Sequence, residues 1–451
     1  MQLRRIVFIL LILISTFNTS YALERQPSAD YHARRVRLAE ALHGGAAIVF
    51  AAGQPLADFM PYRQDEDFYY LTGWNEPGAA LLVQAAAEAK DGRPAHPYRE
   101  VLFLPTRYLR MEKYTGIKLD AASADVAQAT GVDEVMPMTA LPEVLNKSIN
   151  ADRTLANTLW SQQDLPQSKA LVLWTSQTLG MDQPPSFGDV RALTMTLRSV
   201  KDAGEIALLR EASDASIAAQ LAAMKAIKPG VGERAIGGLI LYKLMENGCE
   251  RPSYAPIVGS GLYSTVLHYS ANAATMQTGD VVVIDAAGEY SMYASDITRT
   301  MPISGHFSAR QKEIYDIVLG AQRAAAAAFV AGKFKLGDIN HRGPEITDTL
   351  DKVAFDYINT HGKDLHGQPL GPYFLHGLGH SVGINVHDPM DYSKPLDKGI
   401  VFTIEPGIYI PEEKLGVRIE DVFYVDQEGK LVDLTAKLAH TTDEVEAAMR
   451  H

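Results

Sequence analysis

A single cysteine, Cys249, stands in 451 residues, so no internal disulfide can form and stability has to come from packing. Between Gly248 and Glu250 that thiol has no activating neighbour, which reads as a buried small residue rather than a nucleophile. Positive charge is also scarce: 42 Lys and Arg against 54 Asp and Glu give a formal net charge of -12. A nucleic-acid binder needs a basic face to neutralise phosphates, so that class falls away. No repeat of solenoid period is present. No His-Glu-x-x-His occurs either, which removes the helical zinc proteases. The apolar run at the start, Ile6 to Ile14, is too short for an ordinary transmembrane helix.

That run follows Arg4-Arg5 and leads to a polar stretch ending Ser20-Tyr21-Ala22, the layout of a secretory signal peptide cleaved after Ala22. Residues 1–22 are therefore expected to be a leader, the mature chain to be exported (periplasmic or secreted), and no stable membrane anchor to remain. Hydrophobic residues at 47% and charged residues at 21% are ordinary for a globular protein. The length predicts two domains. From Tyr31 to Leu165 helical and strand-like pieces alternate, as in a small α/β domain; a helix over Tyr31–Leu42 and strands at Ala46–Ala51 and Val101–Leu104 are expected. Gln183-Pro184-Pro185-Ser186-Phe187-Gly188 reads as the linker, which gives domains of 23–188 and 189–451. In the second, Asp202-Ala203-Gly204-Glu205 has capping-box spacing before a long helix. Helices follow at Ala309–Phe329 and around Ile339–Ile358, and strands at Asp280–Ala286, Tyr293–Pro302, Ile400–Glu405 and Val417–Val425. The fold class is α/β with two domains, the second α+β.

Chemistry concentrates in that second domain. In Val281-Val282-Val283-Ile284-Asp285 a carboxylate ends an apolar strand, where desolvation costs several kcal/mol unless a positive group compensates it. A hairpin turning at Tyr290-Ser291 would set Asp285 directly opposite Asp296, close enough for two carboxylates to share a pair of metals. The ordinary alternative pairs Asp296 with Arg299. Three histidines, His376, His380 and His387, lie in a glycine-framed segment, and the glycines allow close backbone approach. Glu405 ends the run Val401-Phe402-Thr403-Ile404 before Pro406-Gly407, which taken alone means little. Arg418 and Glu420 are two apart, so on one strand they share a face.

The order Asp, Asp eleven residues on, His-Gly-x-Gly-His with a further His, Glu-Pro-Gly and Arg-x-Glu resembles the pita-bread metallopeptidases, and within them the aminopeptidase P branch. The resemblance runs from about Tyr31 to the C-terminus and takes in Tyr62-Arg63-Gln64-Asp65-Glu66-Asp67-Phe68 and Asn75-Glu76-Pro77-Gly78. It implies a pita-bread catalytic domain behind an aminopeptidase P-type N-terminal domain. It also implies two divalent metal ions, manganese foremost, on Asp285, Asp296, His380, Glu405 and Glu420, a hard oxygen-rich set. Asp296 and Glu420 would serve both metals. By the same resemblance His268 and His387 flank the substrate and take part in catalysis, His376 lies beside it, and Arg418 supports the ligands. The implied reaction releases the N-terminal residue of peptides with proline second, by attack of a metal-bridging hydroxide. The partners are then Xaa-Pro peptides and, by analogy, further copies of the chain. A prolidase restricted to Xaa-Pro dipeptides shares every metal residue; a non-catalytic module or a creatinase-like enzyme would have lost acidic ligands. Tyr114-Thr115-Gly116-Ile117 replaces a Trp-x-Gly-Arg-like stretch of many bacterial members. The loops before His376 and between Tyr409 and Arg418 are short. Both departures touch outer subsites and leave the metal residues alone.

Overall fold

The computed structural model describes residues 23–54, 62–89, 95–150, 158–178 and 186–450; the expected leader, 1–22, lies outside them. No helix among the described residues is long and apolar enough to cross a membrane. The N-terminal domain is built on a six-stranded sheet in the spatial order Glu134–Pro137, Arg99–Leu104, Ala80–Gln84, Ala46–Phe50, Thr158–Ser161 and Ser186–Asp189. Ala46–Phe50 is buried along its whole length, as an apolar strand covered on both faces should be. Helix Ser28–Ala41 packs against this sheet and buries two arginines with Tyr31 and Leu38. Arg35 places a fork on Glu100 at 2.7 and 2.8 Å, and Arg34 bonds Asp202 at 2.6 Å, so neither buried charge lacks a partner.

Of the expected linker, residues 183–185 lie outside the described residues, and Ser186–Asp189 corrects the rest. Instead of a free connection it is the edge strand of the sheet, parallel to Thr158–Ser161. An edge strand needs a hydrogen-bond ladder on one side only, so the preceding Pro184-Pro185 does not forbid it. Helix Arg191–Ser199 then leads to helix Ala203–Ala226, whose capping box forms as its spacing predicts: Glu205 N–H donates to Asp202 and Asp202 N–H to Glu205, both at 2.9 Å. Helices Glu233–Glu246, Ala309–Ala328 and Leu350–His361 complete the main helical set of the catalytic domain. The last starts eleven residues later than expected, because Gly343-Pro344 interrupts the apolar pattern and Thr349 supplies the cap.

Two further corrections bear on the site. The hairpin turns at Ser291-Met292, both in the left-handed region (φ 48° and 72°) that a two-residue hairpin loop requires. Tyr290 therefore pairs with Tyr293, and Asp285 faces Thr298 rather than Asp296. Asp296 sits in the short break between strands Tyr293–Ala294 and Thr298–Pro302. The single strand expected over Val417–Val425 is two, Leu415–Arg418 paired with Gly407–Ile410 and Asp421–Val425 paired with Val401–Ile404. Glu420 lies between them, its N–H bonded to the Thr298 carbonyl at 3.1 Å. One apolar cluster crosses the domain seam, joining Leu38, Phe68 and Leu71 to Val382, Ile384, Val401 and Val422. Cys249 is buried, as expected, and burial pushes its thiol up to about 12, where it is inert.

Candidate metal centre

Three strand ends and one glycine-rich loop converge on a cavity of about 590 Å³. Its walls include all five expected ligands, Asp285, Asp296, His380, Glu405 and Glu420, together with His268, His376, His387 and Arg418. Ligand atoms of Asp296, His380 and Glu420 lie within 4.8 Å of one another. Glu405 joins them through His380, whose Nε2 is 3.3 Å from both Glu405 Oε1 and Asp296 Oδ2. Asp285 joins through Tyr254, whose hydroxyl touches a carboxylate oxygen of both Asp285 and Asp296. The two aspartates thus meet although they are not cross-strand partners, because the break after Ala294 turns Asp296 inward.

Several neighbours fix the ligands in place. His380 Nδ1 lies 3.2 Å from the Ser381 carbonyl, which assigns the proton to that nitrogen and leaves Nε2 facing the carboxylates, the arrangement metal-binding histidines use. Gly379 has to be glycine here, since a Cβ would come within 2.1 Å of the Thr403 carbonyl oxygen. Thr298 Oγ1 donates to Glu420 Oε2 at 2.6 Å and accepts from Arg418 Nε at 3.1 Å. Arg418 also donates to Asp285 Oδ2 at 2.6 Å and to the Tyr409 hydroxyl at 2.9 Å. That hydroxyl is 2.8 Å from His376 Nε2, while His376 Nδ1 bonds the Gly377 carbonyl. Both His376 nitrogens are therefore engaged with the protein. His268 and His387 are exposed at the mouth, and the His387 ring lies 3.9 Å from that of His380. Asp296 does not pair with Arg299, whose guanidinium goes to Asp421 at 2.6 Å on the far side of the sheet.

Electrostatics state what the pocket wants. Four carboxylates face one guanidinium. Burial, followed by the charges of Asp296, Glu405 and Asp285, drives Glu420 well above the usual carboxylate range. Burial pushes Glu405 up to about 7, with Asp296 adding to it and His380 opposing, and it raises Asp285 despite Arg418. His380 moves up to about 9: burial opposes its charge, but the hydrogen bond to Asp296 and the charge of Glu405 prevail. His376 moves the other way, to about 3, through burial and the nearby Arg418. Tyr254 has one proton for two carboxylates, so it can satisfy only one of them when both are ionised. Divalent cations fit this donor set, which offers hard oxygens and one imidazole oriented from behind.

Tyr254, Thr298 and Tyr409 escaped sequence reasoning. Tyr254 in Pro252-Ser253-Tyr254-Ala255 has no pattern around it, and Thr298 and Tyr409 read as ordinary strand residues.

Fold and site define a two-domain metallohydrolase. Residues 207–427 match the model of metallopeptidase family M24, and residues 31–156 match that of the aminopeptidase P N-terminal domain. The chain is similar to the Xaa-Pro aminopeptidase of Escherichia coli (strain K12), 33% identical over 93% of this chain and 97% of that one. It is also similar to the structure of E. coli aminopeptidase P with the inhibitor Pro-Leu, with a TM-score of 0.81 and 30% identity over 94% and 99% of the two chains. The proline aminopeptidase P II of Yersinia pestis gives a TM-score of 0.79 and 32% identity over the same shares. The chain belongs to metallopeptidase family M24, in its bacterial aminopeptidase P branch.

Proposed function

We propose that this protein is an exported Xaa-Pro aminopeptidase that works with two divalent cations, manganese foremost. The observation that carries this is one cavity lined by five metal-ligand side chains, three histidines and an apolar wall of Ala255, Ile257, Leu267 and Val386. Asp285, Asp296, His380, Glu405 and Glu420 would hold the cations, which when bound supply an activated water near neutral pH and polarise the scissile carbonyl. The Glu405 carboxylate, at the edge of this ligand set, would take a proton from the attacking water and pass it to the leaving secondary-amine nitrogen of proline. His387 and His268, at the mouth, are donors for the developing oxyanion and the peptide. Arg418 and Thr298 hold Asp285 and Glu420 in place. The apolar wall suits a pyrrolidine ring, and an Xaa-Pro bond has no N–H to be satisfied.

Export rests on the leader-like residues 1–22, and assembly into homo-oligomers on analogy with the family alone. Metal analysis combined with turnover of Xaa-Pro-Yaa, Xaa-Pro and Xaa-Ala-Yaa peptides, before and after chelation, tests the reading. Two metals per chain, preference for Xaa-Pro-Yaa and recovery with Mn²⁺ are expected. A preference for the Xaa-Pro dipeptide would make it a prolidase, and full activity after complete chelation would sink the mechanism.

A further inference from the structure

His387 is an exposed imidazole on a partly buried loop that is held both by its own domain and by the N-terminal one. Asp388, the next residue, is fully enclosed and accepts from Arg198 Nη2 at 2.6 Å, Lys201 Nζ at 3.0 Å and the Asn385 N–H at 3.1 Å. The second arm of Arg198, Nη1, donates to Asp67 Oδ1 at 2.9 Å. Asp67 lies in helix Glu66–Thr72 of the N-terminal domain and is itself buried. Just ahead of that helix, Arg63 sends Nη2 to the Ile384 carbonyl at 2.9 Å and to Asn385 Oδ1 at 3.4 Å. Its Nε donates to Glu289 Oε2 at 2.9 Å, in the hairpin that carries Asp285 and Asp296, and its Nη1 pairs with Glu66. Two guanidiniums therefore connect one short helix of the N-terminal domain to both ends of the 384–388 segment. One of them also anchors the aspartate hairpin, which fixes the distance between the two parts of the site.

Mere adhesion between domains does not need this layout. The apolar cluster across the seam already joins them, and burying arginines and aspartates is costly unless each is paired. The paired charges converge on the residues next to His387 in a segment with no regular strand or helix, where backbone position is otherwise weakly determined. We propose that the N-terminal domain supplies positioning residues for His387: Arg63 directly, and Asp67 through Arg198 of the catalytic domain, set where that imidazole stands over the metal cavity. This rests on the reading of His387 as a substrate-facing donor given above. A group acting in the transition state is sensitive to small displacement, since an error of about 1 Å can cost roughly 100-fold in rate.

The test uses the full-length holoenzyme with Arg63→Met, Arg63→Lys, Asp67→Asn, His387→Ala and the Arg63→Met/His387→Ala pair. Metal content, kcat and KM on an Xaa-Pro-Yaa tripeptide, and hydrogen exchange over 381–388 are measured. Arg63→Met is expected to keep both metals, lower kcat about 10- to 100-fold with little change in KM, and speed exchange in 381–388 but not in strand 401–404. Arg63→Lys, whose single ammonium cannot hold the 384–385 segment and Glu289 at once, should fall between wild type and Met. The double variant should lose no more than His387→Ala alone, because the two changes disable one device. Independent, multiplying losses, or unchanged exchange over 381–388, would overturn the proposal. Exchange does not depend on the substrate, so a wild type inactive on Xaa-Pro peptides would refute the functional reading while the loop tether is still judged. If Arg63→Met does not fold, Asp67→Asn and Arg63→Lys carry the same comparison.

Discussion

Glu420 and Asp421 are neighbours in sequence, both buried, and their carboxyls are displaced in opposite directions. Glu420 looks into the cavity at three more carboxylates and is raised far above its ordinary value. Asp421 looks to the other side, where Arg299, Gln322, Thr435 and His440 all reach it; burial alone would raise it, yet Arg299 and His440 hold it well below the usual range. Around each lies a trio with metal-like spacing, Asp296-His380-Glu420 and Asp421-Asp433-His440. In the first, four carboxylates share one guanidinium, whereas in the second Asp421 has its own and only Asp433 is raised, to about 6, by burial and by Asp421. In the second the Arg299 guanidinium, itself fully buried, already pairs with Asp421 at 2.6 Å. Ligand spacing therefore identifies candidates, and the charge left uncompensated separates a metal centre from a structural ion pair.

Substitutions on the two sides should break differently. The largest effect is expected for Glu420→Gln: loss of at least one metal per chain and about a 1,000-fold or greater fall in kcat/KM, with the metal-free fold no less stable than wild type. Next comes Asp421→Ala, which strands Arg299 and should cost about 3–5 kcal/mol in chemical denaturation while the folded fraction still binds two metals. Equal metal loss in both variants would erase the distinction between the two sides. Smaller again is Thr298→Val, which removes the hydroxyl between Glu420 and Arg418; metal affinity should weaken about 10- to 100-fold by competition with a chelator, with little change in melting temperature of the metal-free protein.

The smallest effect is a pH trend of opposite sign on the two sides. Glu405 and Glu420 titrate higher in the metal-free fold than in the unfolded chain, so that fold binds the extra protons and loses stability as pH rises from about 4.3, the unfolded value, through about 7 for Glu405. Metal displaces those protons, so the gain in melting temperature on adding Mn²⁺ should grow between pH 5 and 7.5. Asp421 has a depressed value, and its contribution is complete above about pH 4 and lost on acidification below that. A metal-induced gain that is flat with pH would show that the cavity carboxylates are not protonated in the metal-free state.

Asp285 and His380 were legible as candidate ligands because a carboxylate at the end of Val281-Val282-Val283-Ile284, or a histidine framed by glycines, stands out against its local surroundings, whereas Asp296, Glu405 and Glu420 joined them through the family resemblance. Both domains were legible too, as was the capping box at Asp202. The hairpin register was not, because the left-handed pair is Ser291-Met292, and neither residue signals that conformation as glycine or asparagine would. The split after Arg418 was hidden as well: Val417 to Val425 is strand-like on both sides of Glu420-Asp421, and only the two different partner strands show that it is two. Arg299 illustrates the harder case. Its sequence position offers Asp296 as a partner, while strand pleat sends its side chain to the opposite face and Asp421.

The sequence by itself determined the chemistry available, five candidate ligand side chains, the histidines and the pattern shared with family M24, because residue type and order along the chain survive without coordinates. Tertiary structure decided which of the buried carboxylates lack a cation, how Tyr254, Thr298 and Arg418 orient the ligands, and that Arg63 and Asp67, more than three hundred residues before His387, reach its loop. Those are facts of long-range pairing, and a sum of local preferences along a chain does not contain them.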